Sequence, residues 1–166
     1  MLKNRVIASI IYNGKTIVRG YDFNNIRPVG SLLQQIKIYN LREIDELIIY
    51  DISGEVMPKK ILESASSTSF MPLTVGGGIR NLEDISYLLE NGADKIILNT
   101  GSFTEDKLLI NAVSHFGSQA ISVGVDYRKT ANKLIHYIKN GKQIVNHDLI
   151  KWCGDTEDLG AGEIIL

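Results

Sequence analysis

A chain of 166 residues, 44% of them hydrophobic and 22% charged, has the size and composition of one soluble globular domain. Its 18 basic and 19 acidic residues give a net charge of -1. That balance excludes the strongly basic field by which proteins hold nucleic acid or an anionic membrane. A single cysteine, Cys153, excludes an internal disulfide and a multi-thiolate metal site, which favours the cytoplasm. No apolar run approaches the roughly 18 uncharged residues of a membrane span.

Short runs rich in Ile and Val recur along the chain, with the near-continuous apolar character of strands that are buried on both faces. They span residues 6–11, 47–52, 73–75, 96–98, 120–125 and 164–166. Because patterns typical of helices lie between them, the alternation predicts an α/β fold with a parallel sheet. It comprises five βα units followed by a sixth strand.

Local signals refine this outline. Thr104 is expected to cap a helix that Gly117 ends. Further helices are predicted over 34–41, 58–66, 82–89 and 146–159, the last despite Gly154. Asn-Gly pairs at 13–14 and 140–141 predict two β-hairpins, because both residues tolerate a positive φ.

Polar and glycine residues follow several of the predicted strands at their carboxyl ends. They are Asp51, Gly76-Gly77-Gly78, Asn99-Thr100-Gly101 and Asp126. A (β/α)₈ barrel assembles its site from many such strand ends, whereas a dinucleotide-binding sheet concentrates its glycines after the first strand. The pattern therefore favours the barrel, and we reject the dinucleotide reading.

The triple glycine lies where a strand turns into a helix. Backbone N–H groups and the positive end of the helix favour an anion there, so Gly77 and Gly78 are candidate phosphate ligands. Asn99 and Thr100 at the next strand end could add donors. The alternative is that the glycines only permit a tight turn.

Charged residues mark the opposite ends of four strands. Arg5, Glu46, Lys95 and Glu163 each precede a different apolar run. Inside a barrel they would form a ring of two positive and two negative groups, which compensate one another as buried charges must. The alternative is ordinary solvated charge flanking the strands.

Several segments, in this order and spacing, resemble the cyclase subunit of imidazole glycerol phosphate synthase over the whole chain. They are Arg5-Val6-Ile7, Ile44-Asp45-Glu46-Leu47, Val75-Gly76-Gly77-Gly78-Ile79, Gly92-Ala93-Asp94-Lys95, Asn99-Thr100, Phe116-Gly117-Ser118-Gln119-Ala120 and Gly160-Ala161-Gly162-Glu163-Ile164. The isomerase relative in histidine biosynthesis shares the glycine segment but is less similar elsewhere.

The resemblance implies a phosphate-binding (β/α)₈ TIM barrel, paired at its amino-terminal face with a glutaminase whose ammonia travels through the barrel. It assigns a substrate phosphate to Gly77, Gly78, Asn99 and Thr100. It also makes the charged ring the ammonia gate: Arg5, Glu46, Lys95 and Glu163. It implies no cofactor, and the spacing of the three histidines predicts no metal site.

The catalytic positions depart from the family. Asp126 matches the aspartate on strand five, but the strand-one aspartate falls on Ile10-Ile11-Tyr12, which contains no carboxylate. The family's loop lysine falls on Arg19, a poor proton donor that can still bind phosphate. Loss of a general acid or base costs about 10²- to 10⁴-fold in rate. We therefore expect weak or absent cyclisation.

Cyclase-like proteins of surface-polysaccharide biosynthesis resemble this pattern better, since they lack the same aspartate. They are thought to pass ammonia from a glutaminase-like partner to an amidotransferase that builds acetamidino sugars. Three functions stay open: an ammonia conduit with a phosphorylated ligand, an authentic cyclase of histidine biosynthesis, and a bare phosphate-binding module. No nucleic-acid or membrane partner is expected.

Length enters last. A complete barrel of this type takes about 250 residues, so residues 1–166 are expected to form a single partial TIM-barrel domain that stops in strand six. An unclosed sheet exposes an edge, and we expect such a piece to aggregate, associate or be marginally stable.

Overall fold

The computed structural model describes residues 4–21, 24–105, 107–131 and 133–166. Strands and helices alternate along the chain, which confirms the predicted α/β class. The chain forms two compact units. The first comprises residues up to Ile79 together with Glu83–Ile96, and the second comprises Arg80–Leu82 together with Ile97–Leu166.

The first unit is built on a mixed sheet. Its strands are β1 Ile7–Tyr12, β2 Ile17–Tyr21, β3 Asn24–Gly30, β4 Glu46–Asp51 and β5 Leu73–Gly76. β4 pairs in parallel with β1 and with β5, while β1, β2 and β3 form an antiparallel meander. The helices are α1 Leu32–Leu41, α2 Lys59–Thr68 and most of α3 Leu82–Glu90. The next strand, β6 Lys95–Leu98, crosses the boundary between the units.

The second unit follows along the chain. Its helices are α4 Thr100–Thr104, α5 Leu108–Phe116 and α6 Leu149–Asp158, with a 3₁₀ turn at Ser118–Ala120. Its further strands are β7 Ile121–Gly124, β8 Asp126–Lys129, β9 Leu134–Ile138, β10 Gln143–Val145 and β11 Glu163–Ile165. β7 pairs in parallel with β11, and β8, β9 and β10 form a separate antiparallel sheet.

Burial explains the apolar runs of the sequence. Leu47, Ile48 and Ile49 of β4 are each at most 2% exposed, although their side chains alternate between the two faces of the sheet. In the second unit, Ile121 and Val123 of β7 are fully buried in the same way. A strand covered on both faces has no solvated side on which a polar residue would be stable.

The predicted helix at 146–159 exists as α6, and Gly154 lies within it. It begins after Asp148, whose carboxylate accepts the backbone N–H of Lys151 at 2.8 Å. This N-cap satisfies one of the donors that a helix start leaves unpaired. The cap and the packing of the helix therefore outweigh the cost of one interior glycine, about 1 kcal/mol.

The predicted role of Thr104 as a helix cap is wrong. Thr104 closes α4, and its hydroxyl donates to the backbone oxygen of Thr100 at 3.0 Å. Lys107, with a φ of 64°, precedes α5 instead. The short helix α4 thus takes up the residue that the sequence pattern assigned to the next helix.

Both predicted hairpins are confirmed. Tyr12 pairs with Ile17 across the turn that holds Gly14 at a φ of 82°. Ile138 pairs with Gln143 across a turn in which Asn140 has a φ of 55°. The sequence patterns missed β3 and β8, which are solvated strands without an apolar run. In the part of the chain that the structure describes, every helix is too short or too polar to cross a bilayer.

Candidate functional site

A buried carboxylate organises the amino-terminal edge of the first unit's sheet. Glu46, 2% exposed, accepts hydrogen bonds from Arg5 Nη1 at 2.9 Å, from Lys95 Nζ at 3.1 Å and from the Thr74 hydroxyl at 2.8 Å. Burial of an ionised carboxylate is costly unless charged and hydrogen-bonding partners surround it. We call these four residues the Glu46 cluster.

The parallel strands explain why residues distant in sequence meet here. Glu46 opens β4 and Lys95 opens β6, while Arg5 precedes β1 by two residues. The starts of neighbouring parallel strands lie at one edge of a sheet. Three of the four residues predicted to form a charged ring therefore share one ion-paired cluster. Glu163, the fourth, opens β11 in the second unit, in register with Ser122.

Thr74 belongs to the cluster, although the sequence analysis did not select it. Its side chain is fully buried in β5, and its hydroxyl donates to Glu46 Oε1. A polar residue within the apolar run Leu73–Val75 is the sequence signal that could have found it, since buried hydroxyls need a partner.

The triple glycine follows β5, where a phosphate site was predicted. Gly77 and Gly78 have positive φ angles of 119° and 72°. A Cβ atom at Gly77 would collide with the backbone of Asp51, and one at Gly78 would collide with the backbone of Glu55 and Val56. The loop after β4 thus packs directly on the turn. Conformation and packing both require glycine here, so phosphate binding stays a prediction.

Asp51 holds the start of that loop. Its Oδ1 accepts the backbone N–H of Ser53 at 2.9 Å, whereas its buried Oδ2 has no hydrogen-bond partner among the described residues. Burial raises the pKa of this carboxyl, against the lowering effect of the hydrogen bonds from Ser53. Asp51 therefore orders the loop on which the glycine turn rests.

The second unit contains the matched aspartate. Asp126 opens β8, and its Oδ2 accepts a hydrogen bond from Asn99 Nδ2 at 3.0 Å. Burial raises the pKa of Asp126, while the hydrogen bond from Asn99 lowers it. Asn99 Oδ1 is buried and has no hydrogen-bond partner in the described residues. A carboxyl whose pKa moves towards neutrality is the kind that exchanges protons in catalysis.

Thr100 is tied to the hairpin of the second unit. Its hydroxyl oxygen accepts the backbone N–H of Lys139 at 2.9 Å. Phe103, on the same short helix, meets the buried ring of His136 edge-on, with the ring centroids 5.6 Å apart. Hydrogen bonding and packing thus fix α4 to β9. The sequence suggested Thr100 as a phosphate donor but gave no sign of this attachment.

Arg19 lies on β2, paired in register with Arg27 of β3. The two exposed arginines line an open groove of about 410 Å³ together with Gly20, Tyr21 and Asn25. Like charges on paired residues repel one another, and an anion between them would relieve that repulsion. Arg27 was missed because only the strand register shows that it lies opposite Arg19.

β1 carries the expected departure. Its six residues, IASIIY, include no carboxylate, and Ile10 and Tyr12 are each 3% exposed. Arg19 and β1 belong to the first unit, while Asp126, Asn99 and Thr100 belong to the second.

Comparison with known proteins adds a family. The family model described as "Histidine biosynthesis protein" matches residues 5–166. The imidazole glycerol phosphate synthase subunit HisF of Chlorobium phaeobacteroides is 36% identical over 170 aligned positions, which cover 100% of this chain and 68% of the relative. The HisF subunit of Sulfurisphaera tokodaii is 35% identical, with the same coverage.

Proposed function

Because the chain belongs to the histidine biosynthesis protein family, we propose that it is a HisF-like synthase subunit that conducts ammonia from a glutaminase partner. The observation that carries this proposal is a contrast. The Glu46 cluster is complete in its four described members, whereas β1 has an isoleucine where the resemblance expects a catalytic carboxylate. The chain thus keeps polar groups that suit transfer and lacks one that suits cyclisation.

The chemistry of the Glu46 cluster supports an entrance. Ammonia is small, neutral and able to donate and accept hydrogen bonds. Lys95 is 19% exposed and Arg5 is 44% exposed, so each remains reachable from solvent while it pairs with the buried Glu46. Rearranging these ion pairs would admit a small polar molecule without leaving a bare charge in the core.

The apolar end of β1 supports weak or absent cyclisation. Ile11 cannot accept or deliver a proton, and such a loss costs about 10²- to 10⁴-fold in rate. The ammonia would then go to a sugar amidotransferase, in a pathway that makes acetamidino sugars of a surface polysaccharide. The glutaminase would dock at the edge that carries the Glu46 cluster.

A second candidate is the authentic cyclase of histidine biosynthesis. The matched relatives are subunits of imidazole glycerol phosphate synthase, and Asp126 has the raised pKa that a proton-transferring carboxyl needs. A phosphorylated substrate would then be both bound and converted.

The test uses the chain together with the glutaminase encoded beside it. We expect mixing to stimulate glutamate formation, whereas turnover of the ribulosyl aminoimidazole substrate stays at least about 10²-fold below ordinary enzymatic rates. Ile11→Asp should then raise this turnover, and Ile11→Asn, of similar size but without a titratable group, should not. Ordinary turnover by the unsubstituted chain would establish the cyclase instead. An unchanged glutaminase rate would refute the conduit.

A further inference from the structure

The faces of the first unit's sheet can be assigned from strand register. Ile7 pairs with Glu46 and Ile11 with Tyr50 between β1 and β4. Tyr50 also pairs with Gly76 of β5. Because side chains alternate along a strand, Glu46, Ile48 and Tyr50 share one face. The hydrogen bond from Thr74, which pairs with Ile48, to Glu46 confirms that this face carries the Glu46 cluster.

The carboxyl end of the same face is formed by Ile11, Tyr50 and Gly76. Asp51, the neighbouring carboxylate, belongs to the opposite face with Leu47 and Ile49, where it is 4% exposed and caps the loop at Ser53. Of the three positions on the cluster face, Tyr50 alone carries a polar group. Asp51 is therefore not a replacement for the missing carboxylate of β1.

We propose that Tyr50 is a ligand-contacting residue that recognises a phosphorylated compound with a flat heteroaromatic ring. This inference rests on the proposed function and names the class of ligand that the site accepts. The half-buried ring of Tyr50 offers a stacking surface, and its hydroxyl offers a hydrogen bond. Ile11 supplies an apolar flank, while Gly76 has no side chain to compete for space above the ring.

The same geometry explains why binding and conversion separate in this chain. An aromatic face and a branched alkyl group hold a flat ring by dispersion and by exclusion of water. Neither group is a good proton carrier at neutral pH, because a phenol has an ordinary pKa of about 10. The ligand is held at this end of the sheet without the acid–base chemistry that the family performs.

A purely structural role for Tyr50 makes different predictions. Aromatic side chains often cover a glycine on the adjacent strand and thereby stabilise the sheet. In that case its replacement would lower the melting temperature and would leave ligand selectivity unchanged. Binding must therefore be compared between two probes, aminoimidazole carboxamide ribotide, which has a flat ring, and inorganic phosphate, which has none.

The experiment is calorimetric titration of the unsubstituted chain, Tyr50→Phe, Tyr50→Leu and the control Tyr87→Leu on α3, without glutaminase. We expect Tyr50→Leu to weaken ribotide binding about tenfold and Tyr50→Phe less than about threefold, with phosphate binding unchanged. Equal affinities for Tyr50→Leu and the unsubstituted chain would overturn the proposal. Equal losses for both probes would do the same, as would absence of ribotide binding by the unsubstituted chain.

Tyr50→Trp gives a second readout that retains an aromatic ring if Tyr50→Leu does not fold. Its added indole fluorescence, measured against the Trp152 background of the unsubstituted chain, should be quenched by ribotide and not by phosphate. Unchanged fluorescence at saturating ribotide would refute the contact. Since neither measurement involves ammonia, failure of the conduit proposal would leave these results intact, and the reverse also holds.

Discussion

Removing the charge of Glu46 is the sharpest test of how the charged edge is held together. Glu46→Gln keeps the size of the side chain and an oxygen that can accept the Thr74 hydroxyl. It removes the negative charge that faces Arg5 Nη1 at 2.9 Å and Lys95 Nζ at 3.1 Å. The two cations would then face each other and a neutral amide in a partly buried environment.

The magnitude follows from the exposure of each partner. Breaking a fully buried ion pair costs about 3–5 kcal/mol, because the remaining charge stays desolvated. Here Arg5 is 44% exposed and can turn to water, so its share is small. Lys95 is only 19% exposed and bears most of the cost. We expect a loss of about 2 kcal/mol in the free energy of unfolding.

The assay is equilibrium unfolding in urea, in which a loss of that size lowers the midpoint by about 1 M. Glu63→Gln is the matched control, since Glu63 pairs with Lys59 at 3.7 Å and both side chains are more than half exposed. That surface pair should contribute less than about 1 kcal/mol. A midpoint for Glu46→Gln no lower than that of the control would refute the reasoning.

A double substitution separates charge from packing. If the loss in Glu46→Gln comes from an uncompensated Lys95 charge, then Lys95→Met added to it should recover about half of the lost stability. If the two losses instead add, the Glu46 carboxylate stabilises the sheet through contacts other than this ion pair.

The other predictions concern a glycine and two titrating groups. Gly78→Ala should cost more than about 2 kcal/mol in urea unfolding because its φ is positive and its Cβ meets backbone, whereas Gly154→Ala in α6 should stabilise by up to about 1 kcal/mol; equal effects would contradict the packing of the turn. Burial lowers the pKa of His136 below its unfolded value of 6.5, so stability should fall as the pH drops from 7.5 to 5, and His136→Phe should remove that pH dependence. Burial raises the pKa of Asp126, so its ionisation destabilises the fold as the pH rises above the unfolded value of 3.8, and Asp126→Asn should be more stable than the unsubstituted chain at pH 7 but not at pH 3. A gain at both pH values would mean that the charge is not the cause.

Hydrophobic pattern alone determined the class of fold. A run such as Leu47–Ile49 has no polar alternation, and only a strand covered on both faces tolerates that. The Asn-Gly turns were equally local, since positive φ angles restrict which residues fit. By contrast, β3 and β8 are solvated strands that exist through pairing with a neighbour, and no residue pattern within them reveals that neighbour.

The candidate site divides in the same way. Charges placed just before strands identified Arg5, Glu46 and Lys95, because the starts of parallel strands meet at one edge. Which donors satisfy the carboxylate was decided by tertiary structure, and Thr74 became visible only through its hydrogen bond. Register also separates Tyr50 from its neighbour Asp51. Two residues adjacent in sequence face opposite sides of a sheet, and only the pairing of strands shows which side holds the site.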